Sequence, residues 1–291
     1  MRSLVLYSLV FSLLTALDPA WSAAQQGGIT RKHHPWGRFE PGAWKLVRVE
    51  TETFDENGTM SSATETRTIL EDVDEDGVTL LIEVSVKVGG KRFDAQPQRV
   101  KQGFHGELAN HDVKVTDLGA GRVTVQGRNL PCKIQQLEYT GPGGKTTSKI
   151  YYSDSVEPFI LKRETIKTDP QSKTPLSETT VDVVAMDVPR KVLTRIRNTV
   201  HVKAVHTNAN GTTTRLAVTS GDVPGGVICH TSKEVDNSGR LIRRSSLELI
   251  DHGLDVDRDR TGLFQRWRPG RLRPPRRLLP LRPKPSADDE G

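Results

Sequence analysis

Apolar and polar residues alternate with a period of two along much of the chain. The clearest run lies at 80–88, where the alternate positions Leu80, Ile82, Val84, Val86 and Val88 are all apolar. Successive side chains of a strand point to opposite faces, so this pattern predicts a strand with one buried face. Residues 200–204 repeat it, and no segment after residue 24 carries a sustained helical stripe. We therefore expect roughly ten to thirteen antiparallel strands and little helix.

Turn signals separate the predicted strands at short intervals. Asn-Gly, Asp-Gly and Gly-Gly pairs lie at 57–58, 76–77, 89–90 and 210–211, and such pairs favour tight hairpins. Many strand positions are Ser, Thr, Lys or Glu, as in 61–68, which predicts that one sheet face contacts water. We expect an all-β fold: an open curved sheet, a half-barrel or a sandwich.

The chain also resembles itself. Residues 144–161 (GKTTSKIYYSDSVEPFIL) align with 211–228 (GTTTRLAVTSGDVPGGVI) at a constant offset of 67. The identical pairs are Gly144/Gly211, Thr146/Thr213, Thr147/Thr214, Ser153/Ser220 and Val156/Val223. A constant offset across turn, strand and loop indicates one unit used twice. We predict a β-domain over 43–257 made of units 43–121, 122–188 and 191–257.

The two ends of the chain differ from this domain. Residues 1–24 combine Arg2, an apolar stretch and small residues, which is typical of a cleaved export signal and predicts a periplasmic or secreted protein. Residues 25–42 are polar and predict a linker. Residues 258–291 are rich in Arg and Pro and predict a disordered tail. With nine Arg and one Lys against four acidic residues, the tail carries the whole formal charge of +6.

The location of this charge limits the possible partners. Because the remainder of the chain is neutral, any attraction to an anionic surface must come from the tail. No specific recognition of nucleic acid is expected.

One acidic segment has the spacing of a calcium loop. Asp72, Asp74, Asp76, Gly77 and Glu83 fit D-x-[DN]-x-[DN]-G-x5-E, in which three carboxylates converge before a glycine turn and a glutamate closes the site. That motif is flanked by helices, whereas Glu83 lies in a predicted strand. We therefore favour an acidic hairpin turn and keep a calcium site as the alternative; no other cofactor is predicted.

Cys132 and Cys229 are the two cysteines of the chain. In an exported protein they are candidates for one disulfide, and two free thiols in strands are the alternative. Histidines such as His201, His206 and the pair His33-His34 show no metal-ligand spacing, so we expect them on the surface or in loops.

The segment Tyr151-Tyr152-Ser153, followed by VEPFILK at 156–162, resembles the curved antiparallel sheets of the LolA/LppX-like periplasmic lipid carriers. This resemblance implies that the protein binds a lipid or another apolar ligand.

No catalytic signature is present in the sequence: it contains no G-x-S-x-G, no H-E-x-x-H and no phosphate loop. We therefore predict an exported binding or envelope-scaffolding β-protein, with an apolar ligand as one candidate, and expect no catalysis. The alternatives are a calcium-binding module that uses the 72–83 loop and a hydrolase-type secreted enzyme without a recognisable motif.

Overall fold

The computed structural model describes residues 28–56, 58–107, 113–141, 143–169, 171–172 and 174–255. The chain divides into two units, Met1–Val256 and Asp257–Gly291, and the described residues belong to the first. The predicted signal at 1–24 and the predicted tail at 258–291 lie outside the described residues. No helix within the described part of the chain is long and apolar enough to cross a membrane.

The described residues form an open antiparallel sheet, which confirms the predicted all-β class. The only helix among them is a 3-10 turn at Arg31–His33. The strands of this sheet are β1 (Trp44–Asp55), β2 (Gly58–Val73), β3 (Gly77–Val88), β4 (Lys91–Asp94), β5 (Gln98–Gly103), β6 (Lys114–Val125), β7 (Arg128–Gly141), β8 (Gly144–Tyr152), β9 (Ile160–Thr168), β10 (Pro175–Val192), β11 (Arg195–Asn208), β12 (Gly211–Thr219), β13 (Val227–Asp236) and β14 (Leu241–Gly253).

The order of the strands places the first strand beside the last one. Along the sheet the order is β4-β3-β2-β1-β14-β13-β12-β11-β10-β9-β8-β7-β6, and β5 also pairs with β3. The first and last strands are therefore neighbours in the interior of the sheet, fourth and fifth from the β4 edge. After β5 the chain crosses to the opposite edge and returns strand by strand from β6 to β14.

Strand positions follow the predicted offset of 67. Strands β7, β8 and β9 begin at residues 128, 144 and 160, whereas β11, β12 and β13 begin at 195, 211 and 227. Gly144 and Gly211 both have a positive φ, and a Cβ on either would collide with a carbonyl oxygen, that of Thr168 or of Val235. Only glycine fits such a position, which explains why it is present in both segments.

The loops after β8 and β12 are also equivalent. We call 153–159 loop A and 220–226 loop B. The N–H of Ser153 donates to the carbonyl of Phe159 at 2.7 Å, and that of Ser220 donates to the carbonyl of Gly226 at 2.8 Å. Each serine oxygen also accepts an N–H two residues later, at 3.3 Å in loop A and 3.4 Å in loop B. A short side chain that bonds to its own turn favours this conformation.

Residues 28–42, here called the N-segment, reveal how strongly the sheet curves. His33 contacts Asp154, which follows β8, at 3.0 Å. The ring of the next residue, His34, lies 6.2 Å from the ring of Phe104, which follows β5. Strands β5 and β8 are ten steps apart in the sheet order, which would be about 48 Å in a flat sheet. The sheet therefore curves around the N-segment, and the surface that the N-segment contacts is the concave, inner face.

The N-segment is not the linker that its composition predicts. Ile29, His33, His34 and Trp36 are all buried. Ile29 packs with Leu137, Ile150 and Tyr152 of β7 and β8, and Trp36 packs with a second cluster, chiefly from β2 and β3. The apolar residues of this segment are too widely spaced to form a periodic signal, so the pattern of the sequence did not indicate the packing.

Candidate functional site

The inner face contains an apolar row near loops A and B. Residues directly opposite on neighbouring antiparallel strands point to the same face, so the register defines which side chains form a row. Six of its eight side chains are apolar. This apolar row consists of Val183, Val202, Ala217, His230, Leu247, Val49, Thr64 and Val86.

Two further rows lie toward the hairpin turns at 55–58, 141–144 and 208–211, each about 7 Å from the previous row. The middle row runs from Gln135 through Ile150, Arg163, Val181, Ala204, Arg215, Ser232, Ser245 and Thr51 to Ser62. The polar row contains Ser148, Thr165, Thr179, His206, Thr213, Glu234, Arg243 and Thr53. The inner face therefore changes from apolar to polar between the loop end and the hairpin end.

Basic side chains follow this gradient along β1, β12, β13 and β14. We call Lys45, His230, Arg215 and Arg243 the basic strip. The Lys45 ammonium lies 3.3 Å from the carbonyl of Gly225 and 5.4 Å from the centre of the Trp36 ring. Arg243 forms an ion pair with Glu234 at 2.6 Å. The strip therefore runs from the N-segment, past the apolar row, to the polar row.

Burial and neighbouring positive charges lower pKa values within the basic strip. Burial lowers the pKa of Lys45 to about 8. Burial, with smaller contributions from the charges of Arg215 and Lys45, lowers the pKa of His230 to about 4. Burial and the neighbouring Arg243 also lower the pKa of Arg215. The strip is therefore a region where positive charge is unfavourable in the free protein, and an anion would relieve this cost.

The N-segment is attached to loop A through charges. Asp154 accepts from Lys133 at 2.8 Å and from Lys32 at 3.0 Å, and these bonds hold its pKa well below the usual range. His33 Nδ1 accepts the N–H of Thr30 at 2.9 Å, so the ring proton lies on Nε2, which donates to Asp154. Burial nevertheless lowers the pKa of His33.

Three histidines are more deeply buried than the sequence predicted. His33 and His34 belong to the N-segment, and His105 belongs to the turn after β5; all three are buried. Burial lowers the pKa of His34 to about 4 and is the main cause that lowers that of His105 to about 3. The three histidines lie outside the strands, as the loop alternative predicted, but they are buried rather than on the surface. At His34 the buried ring accepts backbone hydrogen bonds, since its Nδ1 accepts the N–H groups of Trp36 and Gly37.

A groove of about 470 Å³ lies over β10 to β14. By alternation along the strands, its outward-pointing side chains include His201, Leu216, Val218, Cys229 and Glu248. Leu216 is 54% exposed. Val202, Ala217, His230 and Leu247 of the apolar row also line this groove, so the outer groove and the apolar row share the same strands.

The candidate calcium ligands do not converge. Asp74 accepts the N–H groups of Asp76 and Gly77 and forms an ion pair with Lys101 at 2.6 Å. Glu83 lies six residues along β3 from Gly77, about 20 Å away, and faces Arg67 on β2 at 3.8 Å. Asp72 belongs to β2, and Asp76 lies 3.5 Å from Lys101. No group of three His, Cys, Asp or Glu side chains in the described ranges is placed to hold a metal ion. The arrangement is that of an acidic hairpin turn.

The two cysteines are not bridged. Cys132 is a buried free thiol on β7, and Cys229 is a partly buried free thiol on β13. Five strands lie between β7 and β13, a separation far beyond the reach of a disulfide. The candidate disulfide is therefore corrected to two free thiols, each packed in a different hydrophobic cluster.

Sequence reasoning did not identify the basic strip. Its four residues come from four strands, and their spacing along the chain is irregular. The available signal was the alternation itself, since Arg215 and Ala217 share one face of β12 and Arg243 and Leu247 share one face of β14. Finding the strip requires the register between strands as well.

Comparisons with known proteins give similarity to solved structures only. No protein-family model matches the chain, and no curated protein matches it. A LolA superfamily protein from Nitrosomonas europaea is 13% identical, with 79% of this chain and 93% of that chain covered and a TM-score of 0.30. A structure described as a lipoprotein from Parabacteroides distasonis is 10% identical over 78% of this chain and 100% of that chain, with a TM-score of 0.35. A domain described as outer-membrane lipoprotein-sorting, from Vibrio parahaemolyticus, is 8% identical over 75% and 88%, with a TM-score of 0.33.

Proposed function

We propose that the protein acts outside the cytoplasm by binding an apolar or amphiphilic ligand on the inner face of its sheet. The observation that carries the proposal is the gradient of that face, from an apolar row beside the N-segment to a polar row beside the hairpin turns. A concave surface with an apolar wall and a few polar groups is typical of a ligand site.

The predicted export signal and the duplication of the units 122–188 and 191–257 are parts of this proposal. The equal strand starts in β7–β9 and β11–β13 support the duplication. The export signal is tested by expressing the full chain with its residues 1–24 and determining the N-terminal residue of the protein recovered outside the cytoplasm. A chain that retains Met1 and stays in the cytoplasm would contradict the location.

Ligand binding is tested with a neutral apolar dye, N-phenyl-1-naphthylamine, whose fluorescence rises in apolar surroundings. We expect saturable binding by the full chain. Ala217→Phe, which fills the apolar row, should weaken the dye affinity by about tenfold or more, because an overfilled row leaves no apolar wall to contact.

The matched control is Leu216→Phe, one residue away on the opposite face in the outer groove. It should leave the affinity unchanged. If Leu216→Phe weakens binding and Ala217→Phe does not, the ligand site is the outer groove and the proposal is wrong. Should Ala217→Phe fail to fold, Val202→Thr places a hydroxyl in the same row with little change in shape and should also weaken binding.

A further inference from the structure

We propose that the ligand of the inner face is a single-chain amphiphile with an anionic headgroup, a carboxylate or a phosphate, whose chain lies along the apolar row and whose headgroup is bound by Arg215 and Arg243. This inference rests on the proposed function and names the chemical class of its ligand.

The strip lies where a headgroup would be if the chain occupied the apolar row. Arg215 occupies the middle row and is two residues from Ala217 of the apolar row on the same strand. Arg243 occupies the polar row, four residues from Leu247. Successive rows are about 7 Å apart. A ligand with its chain against Ala217 and Leu247 would therefore place its first polar atoms at Arg215, with Arg243 beyond.

The charges of the strip are suited to an anion. Arg215 and Arg243 lie close enough for the charge of one to lower the pKa of the other, and His230 experiences the positive charges of both Arg215 and Lys45. The Arg243 side chain is 38% exposed, whereas burial disfavours the charged forms of Lys45 and Arg215 and so costs stability. Proteins retain such destabilising groups where a ligand needs them. A headgroup carboxylate or phosphate would accept charge-assisted hydrogen bonds from the guanidinium groups.

The residues around the basic strip also provide groups that can bind an anionic headgroup. Ser232 and Ser245 lie beside Arg215 in the middle row, and their hydroxyls can donate further hydrogen bonds to headgroup oxygens. Glu234, which pairs with Arg243 at 2.6 Å, leaves the strip with a net positive charge because Lys45 and Arg215 add to it. The ion pair also holds the Arg243 side chain on the inner face in the free protein.

The experiment compares four probes on the full chain at pH 7.5 by displacement of N-phenyl-1-naphthylamine: laurate, dodecyl phosphate, dodecan-1-ol and inorganic phosphate. We expect laurate and dodecyl phosphate to bind about tenfold more tightly than dodecan-1-ol, as one or two charge-assisted hydrogen bonds would give. Inorganic phosphate should displace no dye, because it makes no contact with the apolar row. Arg215→Gln should remove the preference for anions without weakening the binding of dodecan-1-ol.

Lys203→Gln is the matched control, since Lys203 lies on the opposite face of β11, one residue from Ala204 of the middle row. It should change none of the four affinities. The melting temperature gives a second measurement, because it shows whether Arg215→Gln changes the stability of the protein as well as its binding. A lower melting temperature with an unchanged preference for anions would mean that Arg215 has a purely structural role.

Two other outcomes separate this inference from the proposed function. Equal affinities for laurate and dodecan-1-ol in a protein that binds the dye would overturn the anionic headgroup and leave the proposed function intact. A protein that binds neither the dye nor any dodecyl probe would overturn both. Binding of inorganic phosphate as tight as that of dodecyl phosphate would mean a free-anion site and would overturn the amphiphile.

Discussion

Loop A and loop B form the same turn, but they bind the N-segment through different kinds of interaction. Loop A uses charges: Asp154 pairs with Lys32 and His33, and Glu157 pairs with Arg38 at 2.8 Å. Loop B uses a backbone hydrogen bond, in which the N–H of Gly225 donates to the carbonyl of Pro35 at 3.1 Å. The Gly225 carbonyl accepts from Lys45 of β1. A shared turn therefore fixes where a loop lies, while the side chains in it decide how it binds its neighbour.

The largest expected effect comes from loop B. Gly225 has a φ of 68°, and a Cβ there would lie 2.6 Å from the Trp36 ring and 2.7 Å from the Lys45 ammonium. Gly225→Ala should therefore lower the free energy of unfolding by about 3 kcal/mol, from backbone strain together with overpacking. Denaturant unfolding measures this.

Gly226 is a close control for the same loop. Its φ of 72° is nearly equal, but the nearest neighbour of an added Cβ is 3.6 Å away. Gly226→Ala should cost about 1 kcal/mol from backbone strain alone. Equal losses in the two variants would mean that packing against Trp36 contributes nothing.

The second effect concerns His34, which neither loop holds. Its pKa is about 4 in the folded protein and 6.5 without the fold, so the unfolded chain binds more protons between these values. Stability must then fall as the pH falls from 6.5 toward 4. At pH 5 this histidine alone should cost about 2 kcal/mol relative to pH 7. His34→Gln should flatten the dependence of the unfolding free energy on pH in this window; an unchanged slope would assign the acid sensitivity to other groups.

A smaller effect is expected in loop A. Asp154→Asn removes the anion that Lys133, Lys32 and His33 share. Because the carboxylate is partly exposed, the loss should be about 1 kcal/mol and should shrink in 1 M salt. The pKa of Asp154 is depressed, so its contribution is present above about pH 3.9 and is lost as the pH falls further. A loss that does not change with salt would contradict an electrostatic attachment.

The smallest effect compares the two equivalent serines. Ser153 and Ser220 each accept an N–H within their loop. Ser153 Oγ also lies 3.4 Å from Ser155 Oγ, whereas Ser220 donates to the carbonyl of Asn198 at the shorter distance of 3.0 Å. Ser220→Ala should therefore be more destabilising than Ser153→Ala, by about 0.5 kcal/mol. Thermal unfolding of the two variants measures the difference, and identical melting temperatures would mean that the additional bond contributes nothing.

The alternation of apolar residues predicted the sheet because it depends only on neighbours along one strand. Val84 and Val86 are correctly assigned to one face of β3. The offset of 67 matched the starts of β8 and β12, because the first residue of each strand, Gly144 or Gly211, has the same steric role. Both signals are local, so they are present in the sequence without knowledge of the register.

The packing of the N-segment and the basic strip could not be predicted in this way. Trp36 meets β2 and β3 only because the sheet curves, and curvature is a property of the complete strand order. Arg215 and Arg243 become neighbours through the pairing of β12, β13 and β14. The acidic loop is the opposite case. Its sequence matches the complete calcium-loop motif, but Glu83 lies in β3, too far along the strand to meet the other carboxylates.

The pairing of β1 with β14 affects how the protein folds during its synthesis. Thr53 of β1 lies opposite Arg243 of β14. The first strand to be synthesised therefore cannot pair with β14 until almost all of the strands have been made. Until β14 leaves the ribosome, β1 and β13 each present an open edge, and open edges recruit other chains. Such distant pairings also fold slowly. A nascent chain that stops before residue 241 should therefore aggregate, and chaperones that shield strand edges should be most needed in the interval before the last strand appears.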